Sequence, residues 1–530
     1  MTELYPSAPT APSRRTTLRA AAGGTLFLGL GLTGCRSAVS EAAAPAAGGG
    51  AGPQRGGTLT VAVNTDFTPS LLFSQSSQSL QQRLIYNTLT RYDDRLEPRP
   101  ELATSWEYAP DGRSITLDLR TDVVFHDGRP FTADDVIFAV KNLQNPLRAA
   151  QLRSTAAVVT GFEKRGDHAL VLRLAHPVDN LFDLFEFMFI TDPHTVEEAV
   201  TGRKLNGTGP FTLTAWRPGS GLSLRRNASY WRPGRPYLDG VEIRVVPQAD
   251  ALVSSLRTGQ SQLSYSVPGR NLAAVATAPD LVVSEYATGG GASYLGVDTS
   301  VAPLDDKTVR QALAWAVDRE RILEQVLGGY GLASATPWPR SSPAYTEAGR
   351  THYRHDPAKA RALLRSAGHT RLDLPLLHVN LPGETALAEA IQYDLKQIGV
   401  HVTLEPTDAA TAQKHLVSQS MPALWAMGHG FAQVQPSTLA VSAYPFNAAK
   451  NTSRFRSEAY TEAVRAAWTS RATGAEANAL RQRVTDTLLD EAFIIDLAIR
   501  GSVQVASKKL RGVTLTKFAS LDLDDAHLAG

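Results

Sequence analysis

The chain has 530 residues, with 53 Lys and Arg against 51 Asp and Glu, and a single cysteine. A near-balanced charge without a long basic run excludes a nucleic-acid electrostatic footprint, and one thiol excludes intrachain disulfides and Cys-based metal sites. At roughly 150 residues per domain, this length holds two or three domains, enough core to dispense with disulfides.

In chain order, the first feature is the basic stretch Ser13-Arg14-Arg15-Thr16-Thr17-Leu18-Arg19, followed by an apolar run from Ala20 to Leu32. The run falls short of the about 20 residues a membrane span needs, so the pattern reads as an export signal. The paired arginines point to the twin-arginine route, although Thr17 stands where such signals usually carry Phe. Leu32-Thr33-Gly34-Cys35 resembles a bacterial lipobox, which implies removal of residues 1–34 and a diacylglycerol on the Cys35 sulfur. Residues 35–530 then carry 50 basic and 50 acidic side chains. Gly29 to Gly34 matches a dinucleotide-binding fingerprint letter for letter, but it lies inside the apolar signal and is discarded. Residues 35–55, rich in Ala, Gly and Pro, read as a flexible tether.

The folded body opens with Thr58 to Val63, whose period-two alternation predicts a strand. Ile115, Leu117 and Leu119 alternate likewise after the turn Pro110-Asp111-Gly112. Thr132 is placed to cap a helix whose first turn holds Asp134 and Asp135. Around Lys307 a helix begins with Val309, Ala312, Leu313, Ala316 and Val317 on one stripe. Asp318 caps the next, which ends at Gly328-Gly329, and Asp356-Pro357 opens another that Gly368 stops. Helices and strands alternate irregularly, so the fold class is α/β, mixed α+β, with mixed sheets. His126-Asp127-Gly128-Arg129-Pro130 reads as a turn before a capped helix rather than a catalytic group. Asn206-Gly207-Thr208-Gly209-Pro210 lacks the Lys and hydroxyl of a phosphate loop and reads as a tight lead into a strand. His352 and His355 have helical metal-ligand spacing without a supporting carboxylate, and read as surface histidines. Neither Gly-x-Ser-x-Gly nor His-Glu-x-x-His occurs.

Four segments, in order, resemble the peptide/nickel-type (family 5) solute-binding proteins of bacterial ABC importers. They are Ile85 to Tyr92 with Pro100 to Trp106; Pro110 to Arg113 with Phe125 to Val136; Asn206 to Phe211 with Asn227 to Trp231 and Pro236 to Gly240; and Tyr294 to Asp298 with Val309 to Arg319. The resemblance implies a two-lobed periplasmic-binding-protein-like fold with an extra domain. One lobe comprises residues 56–85, 207–290 and 500–530, the extra domain 86–206 and the second lobe 291–499, with the ligand cleft between the lobes. It implies a monomeric, extracytoplasmic, lipid-anchored protein that captures a small solute and delivers it to permease and ATPase subunits. No catalysis, cofactor, metal or nucleic acid is expected. The alternatives are a secreted hydrolase and a solute sensor for a membrane receptor.

Ala409 to Ser457 contains no Asp or Glu, while Lys414, Lys450, Arg454 and Arg456 fall in it. In the peptide-binding relatives this region carries an aspartate for the peptide ammonium; here Gly428-His429-Gly430-Phe431-Ala432-Gln433 stands instead. The expected ligand is therefore one not held by a carboxylate at this position: neutral, aromatic-bearing or anionic, with a carboxylate from another segment, such as Asp66, as the exception. Peptides, siderophores, metal chelates, opines and sugars all remain open. Candidate lining residues are Phe67, Phe73, Tyr294, Trp338, Trp425, His429, Phe431, Gln433 and Arg454, each also suited to core packing. Trp106, Trp231 and Trp315 are assigned to the core.

Overall fold

A computed structural model describes residues 53–73, 79–93, 95–286, 291–430, 435–515 and 521–529. The signal, Cys35 and the tether up to residue 52 lie outside the described residues.

A seven-stranded mixed sheet holds Leu281–Tyr286, Ser502–Ser507, Leu263–Ser264, Thr58–Val63, Gly240–Val245, Gly221–Arg226 and Phe211–Arg217, in that spatial order. Thr58–Val63 lies at its centre, parallel to both neighbours. Leu59, Val61 and Val63 enter one core, while Ala62 on the opposite face meets Leu252, Leu256 and Leu272 of two helices. The alternation seen in the sequence thus separates two buried faces rather than core from solvent. Covering both faces is the usual state of a sheet with parallel strands.

A second mixed sheet, of six strands, runs Gly331–Ala333, Ile494–Arg500, Ala292–Val297, Leu424–His429, Leu372–Val379 and Val400–Thr407. Leu295, Leu376, Leu424 and Ile495 face one core, and Tyr294, Leu377, Trp425 and Ile494 face the other. A third, antiparallel sheet of Ala103–Tyr108, Ser114–Leu119, Ala169–Leu174 and Val159–Lys164 has its own core, closed by the helix Ala133–Gln144.

The family-like segments are structural. In Phe125 to Asp135 the backbone turns at Gly128, whose φ of +92° favours glycine. Arg129 then binds Asp135 and Asp192, and Asp135 accepts from the Thr132 amide at 2.8 Å, closing the predicted helix start. Gly207 and Gly209 are needed for a different reason than backbone freedom: a Cβ there would lie 2.1 Å from the Ile85 carbonyl oxygen and 2.5 Å from its carbon. Asp306, Asp318 and Asp356 each cap a helix, accepting from Thr308, Arg321 and Lys359 amides. Arg310 and Arg319, both buried, donate to backbone carbonyls of Leu304, Asp305 and Glu491 and of Ala314, Tyr353 and Asp496. They tie the helices to the second sheet. Trp106, Trp231 and Trp315 pack partly buried against these cores. His352 and His355 are exposed, and no grouping of three or more His, Cys, Asp or Glu side chains fit to hold a metal occurs among the described residues.

Candidate ligand-binding cleft

The chain passes between the two large sheets in two adjacent places. Leu281–Tyr286 pairs antiparallel with Ser502–Ser507 in the first sheet, and Ala292–Val297 pairs with Ile494–Arg500 in the second. At the crossing the Arg500 amide donates to the Gly291 carbonyl at 2.9 Å. Two neighbouring connections between two sheets suit a hinge, because they leave the sheets free to rotate about one line.

A cavity of about 590 Å³ lies at this hinge. The first sheet contributes Asn64, Thr65, Tyr265 and Ser266, residues directly after its parallel strands, along with Arg270 at the start of the helix Gly269–Ala276. The second contributes Ser293, Glu384 and Arg500. A smaller space of about 260 Å³ adjoins it, walled by Met427, Gly428, His429 and Gly430 and sharing Leu381, Glu384 and Arg500. Both sheets therefore present the carboxyl ends of parallel strands to the cleft, where open α/β sheets bind ligands.

Polar groups converge on the shared wall. Glu384 is the third residue of the helix Pro382–Lys396, where the helix dipole favours a negative charge. Its Oε1 pairs with Arg500 Nη2 at 2.8 Å, and Arg500 Nε donates to Ser293 Oγ at 2.7 Å. Its Oε2 is buried and has no hydrogen-bond partner among the described residues. Gly428 makes room for the guanidinium, since a Cβ there would lie 2.9 Å from Arg500 Cζ.

The predicted residues divide. His429 lines the smaller space, half-buried, with its Nε2 at 3.3 Å from Gln151 Nε2 and its ring edge-on to Phe446. Burial pushes its imidazole down to about 4, so it is neutral at pH 7 and can either donate or accept. Tyr294, Trp338 and Trp425 are fully buried in one core beneath the cleft wall and line neither space; the Trp338 indole donates to Thr485 Oγ1 at 2.9 Å. Phe67 is a core residue packed edge-on to Trp216, and Phe73 bridges two cores with Arg148 over its ring. Arg454, with φ of +55°, is paired with Asp298. Phe431 and Gln433 lie outside the described residues. Asp66 is occupied locally, accepting from the Phe67 and Gly219 amides. Glu384, Arg500, Ser293 and Tyr265 were not singled out from the sequence. They come from separate segments, and the only local sign is that Arg500 ends the mostly apolar strand Ile494–Arg500, which Asp496 interrupts.

A buried polar seam joins the third sheet's body to the second. Ser437 Oγ donates to Asp179 Oδ1 at 2.5 Å, Thr438 Oγ1 donates to Asp183, and the Trp468 indole donates to Asn180 Oδ1 at 2.9 Å. Burial pushes Asp179 up to about 8, with Asp183 alongside adding to the shift and Ser437 and Arg481 opposing it. Asp183 is pushed up to about 6, again chiefly by burial.

Residues 97–450 match the family of bacterial extracellular solute-binding proteins, family 5 middle. The sequence is 28% identical to the oligopeptide-binding protein AppA of Bacillus subtilis over 70% of this chain and 72% of AppA. It is 26% identical to the glutathione-binding protein GsiB of Pectobacterium atrosepticum over 88% of this chain and 93% of that protein. In fold it is similar to DppA from Helicobacter pylori in complex with a peptide (TM-score 0.80, 21% identity, 90% of this chain and 99% of that one). It is equally similar to AgaA from A. tumefaciens in complex with agropinic acid (TM-score 0.79, 22% identity, 89% and 99%).

Proposed function

This chain belongs to the bacterial extracellular solute-binding proteins of family 5, and we propose that it captures a small solute by closing its two lobes and delivers it to an ABC importer. The observation that carries this reading is the cavity of about 590 Å³ at a two-segment hinge, lined from both sheets. A cavity shared by two hinged bodies couples binding to closure, because the closed state gains contacts only when a solute bridges them. A membrane partner reading closure then distinguishes loaded from empty protein.

Strand membership supports placing residues 56–85, 207–290 and 500–530 in one lobe, 86–206 in the extra domain and 291–499 in the other. The protein acts as a carrier without chemistry, as a monomer, exported by its N-terminal signal and held to the membrane through lipid on Cys35. The importer reading is favoured over a hydrolase by relatives that are binding proteins.

The experiment is a thermal-shift screen of the purified protein against peptides, opines, metal–histidine chelates and sugars. A solute that binds only the folded state raises the melting temperature by mass action, about 3 kcal/mol of added stability at a hundredfold excess over Kd. A shift confined to one solute class fits the reading; no shift with any class opposes it. Separately, Cys35→Ala should move the protein from the membrane to the soluble fraction; continued membrane recovery would count against the lipid anchor.

A further inference from the structure

Resting on the solute-capture reading above, we propose that Glu384 is the cleft's ammonium acceptor, so that the captured solute carries a protonated amine next to a carboxylate or similar acceptor. Glu384 lines both spaces and is shared between them. One carboxylate oxygen is spent on Arg500 Nη2 at 2.8 Å; the other is buried and unpaired among the described residues. A buried acceptor without a donor is costly, and most so for a charged group. On closure, the solute must bring the donor, and an ammonium makes the strongest bond to a carboxylate.

Arg500 supplies the complementary half. Its Nε and Nη2 are held by Ser293 and Glu384, while no partner among the described residues holds Nη1 and the side chain is one-third exposed. The guanidinium is fixed against Gly428, whose missing side chain leaves it flush with the wall. An acceptor beside the ammonium would meet Nη1. The pair thus reads a donor and an acceptor held side by side, as in an amino-acid-type head group. The other acid at the cleft, Asp250, lines only the larger space and accepts from Asn271 Nδ2. Across the smaller space, the strand end Gly428-His429 belongs to a stretch with no acid from Ala409 to Ser457.

The test uses the full chain and a library of di- and tripeptides, with the same library N-acetylated, read by native mass spectrometry with calorimetry on the hits. Wild type should bind free-amine members and lose at least tenfold in affinity on acetylation. Glu384→Gln keeps the shape and an acceptor for Arg500, so it should fold with an unchanged melting temperature. It should lose about tenfold or more for free amines and bind acetylated members as wild type does. A purely structural Glu384 would weaken both libraries equally, and would overturn the assignment. Wild type and Glu384→Gln binding free amines equally would overturn it while leaving solute capture standing. Wild type binding neither library but binding sugars or chelates would likewise overturn it alone. Binding of no solute of any class would overturn both readings. The acetylation arm needs no variant, so misfolding of Glu384→Gln leaves the proposal testable.

Discussion

At Gly428 the strand has no side chain, and the Arg500 guanidinium occupies the space, so one hydrogen atom decides where a cation sits. Gly428→Ala should push the guanidinium off the wall and break its pair with Glu384, lowering solute affinity about tenfold with little change in melting temperature. Calorimetry on wild type and variant checks this; equal affinities would show that the guanidinium position does not matter. His429, on the same strand, titrates differently from a ring in water. Its folded pKa of about 4 lies below the ordinary imidazole value, so the unfolded chain takes up a proton first as pH falls. The stability this contributes is present above pH ~6.5 and is lost between there and about 4. Its imidazole carbon resonances, followed by NMR, should show no titration above pH ~5; a midpoint near ~6.5 would place the ring in water. His429 drew notice in the sequence because it stands in an acid-free stretch where the resembling family carries Trp, and it lines the smaller space. Glu384 drew none, because a Glu in a helix's first turn is indistinguishable in sequence from an ordinary helix starter.

Among the elements, the seam between the third sheet's body and the second holds two carboxyls that burial pushes up, Asp179 further than Asp183. Asp179 is pushed up to about 8, so between about 4 and 8 the folded state holds a proton that the unfolded state has lost. Stability should therefore fall as pH rises through that window. Asp179→Asn keeps an acceptor for Ser437 and cannot ionise, so its unfolding free energy should be flatter between pH ~6 and ~8 than the wild type's. Urea denaturation at several pH values measures this, and an unchanged slope would contradict the buried, protonated Asp179. The helix caps at Asp318 and Asp356 were legible because capping needs only neighbours in sequence. The seam was not, since Asp179 and Ser437 stand 258 positions apart. Glycines behave the same way: Gly128 was readable as a turn, but Gly207 owes its place to the Ile85 carbonyl across the fold. Gly207→Ala should cost about 3 kcal/mol by denaturation, the scale of a core overpacking.

For the whole molecule, the two-lobed α/β architecture was legible through four ordered segments, each of which proves to fix a turn, a close backbone approach or a buried arginine. Local periodicity alone gave the strands but not which sheet they join. Tyr294, Trp338 and Trp425 show why the cleft was harder: a buried aromatic in a core and one in a binding wall look the same in sequence. The cleft's polar groups converge only after the chain has crossed the hinge twice.

If the lobes close on a solute, a distance measured across the cleft reports it. Spin labels at Ser254→Cys, on the exposed side of a first-lobe helix, and Tyr393→Cys, 59% exposed on a second-lobe helix, report the separation. With Cys35 replaced by Ser, these are the only thiols in the chain. Saturating with a solute that calorimetry shows to bind should shorten and narrow the distance distribution. An unchanged distribution at full occupancy would contradict capture by closure.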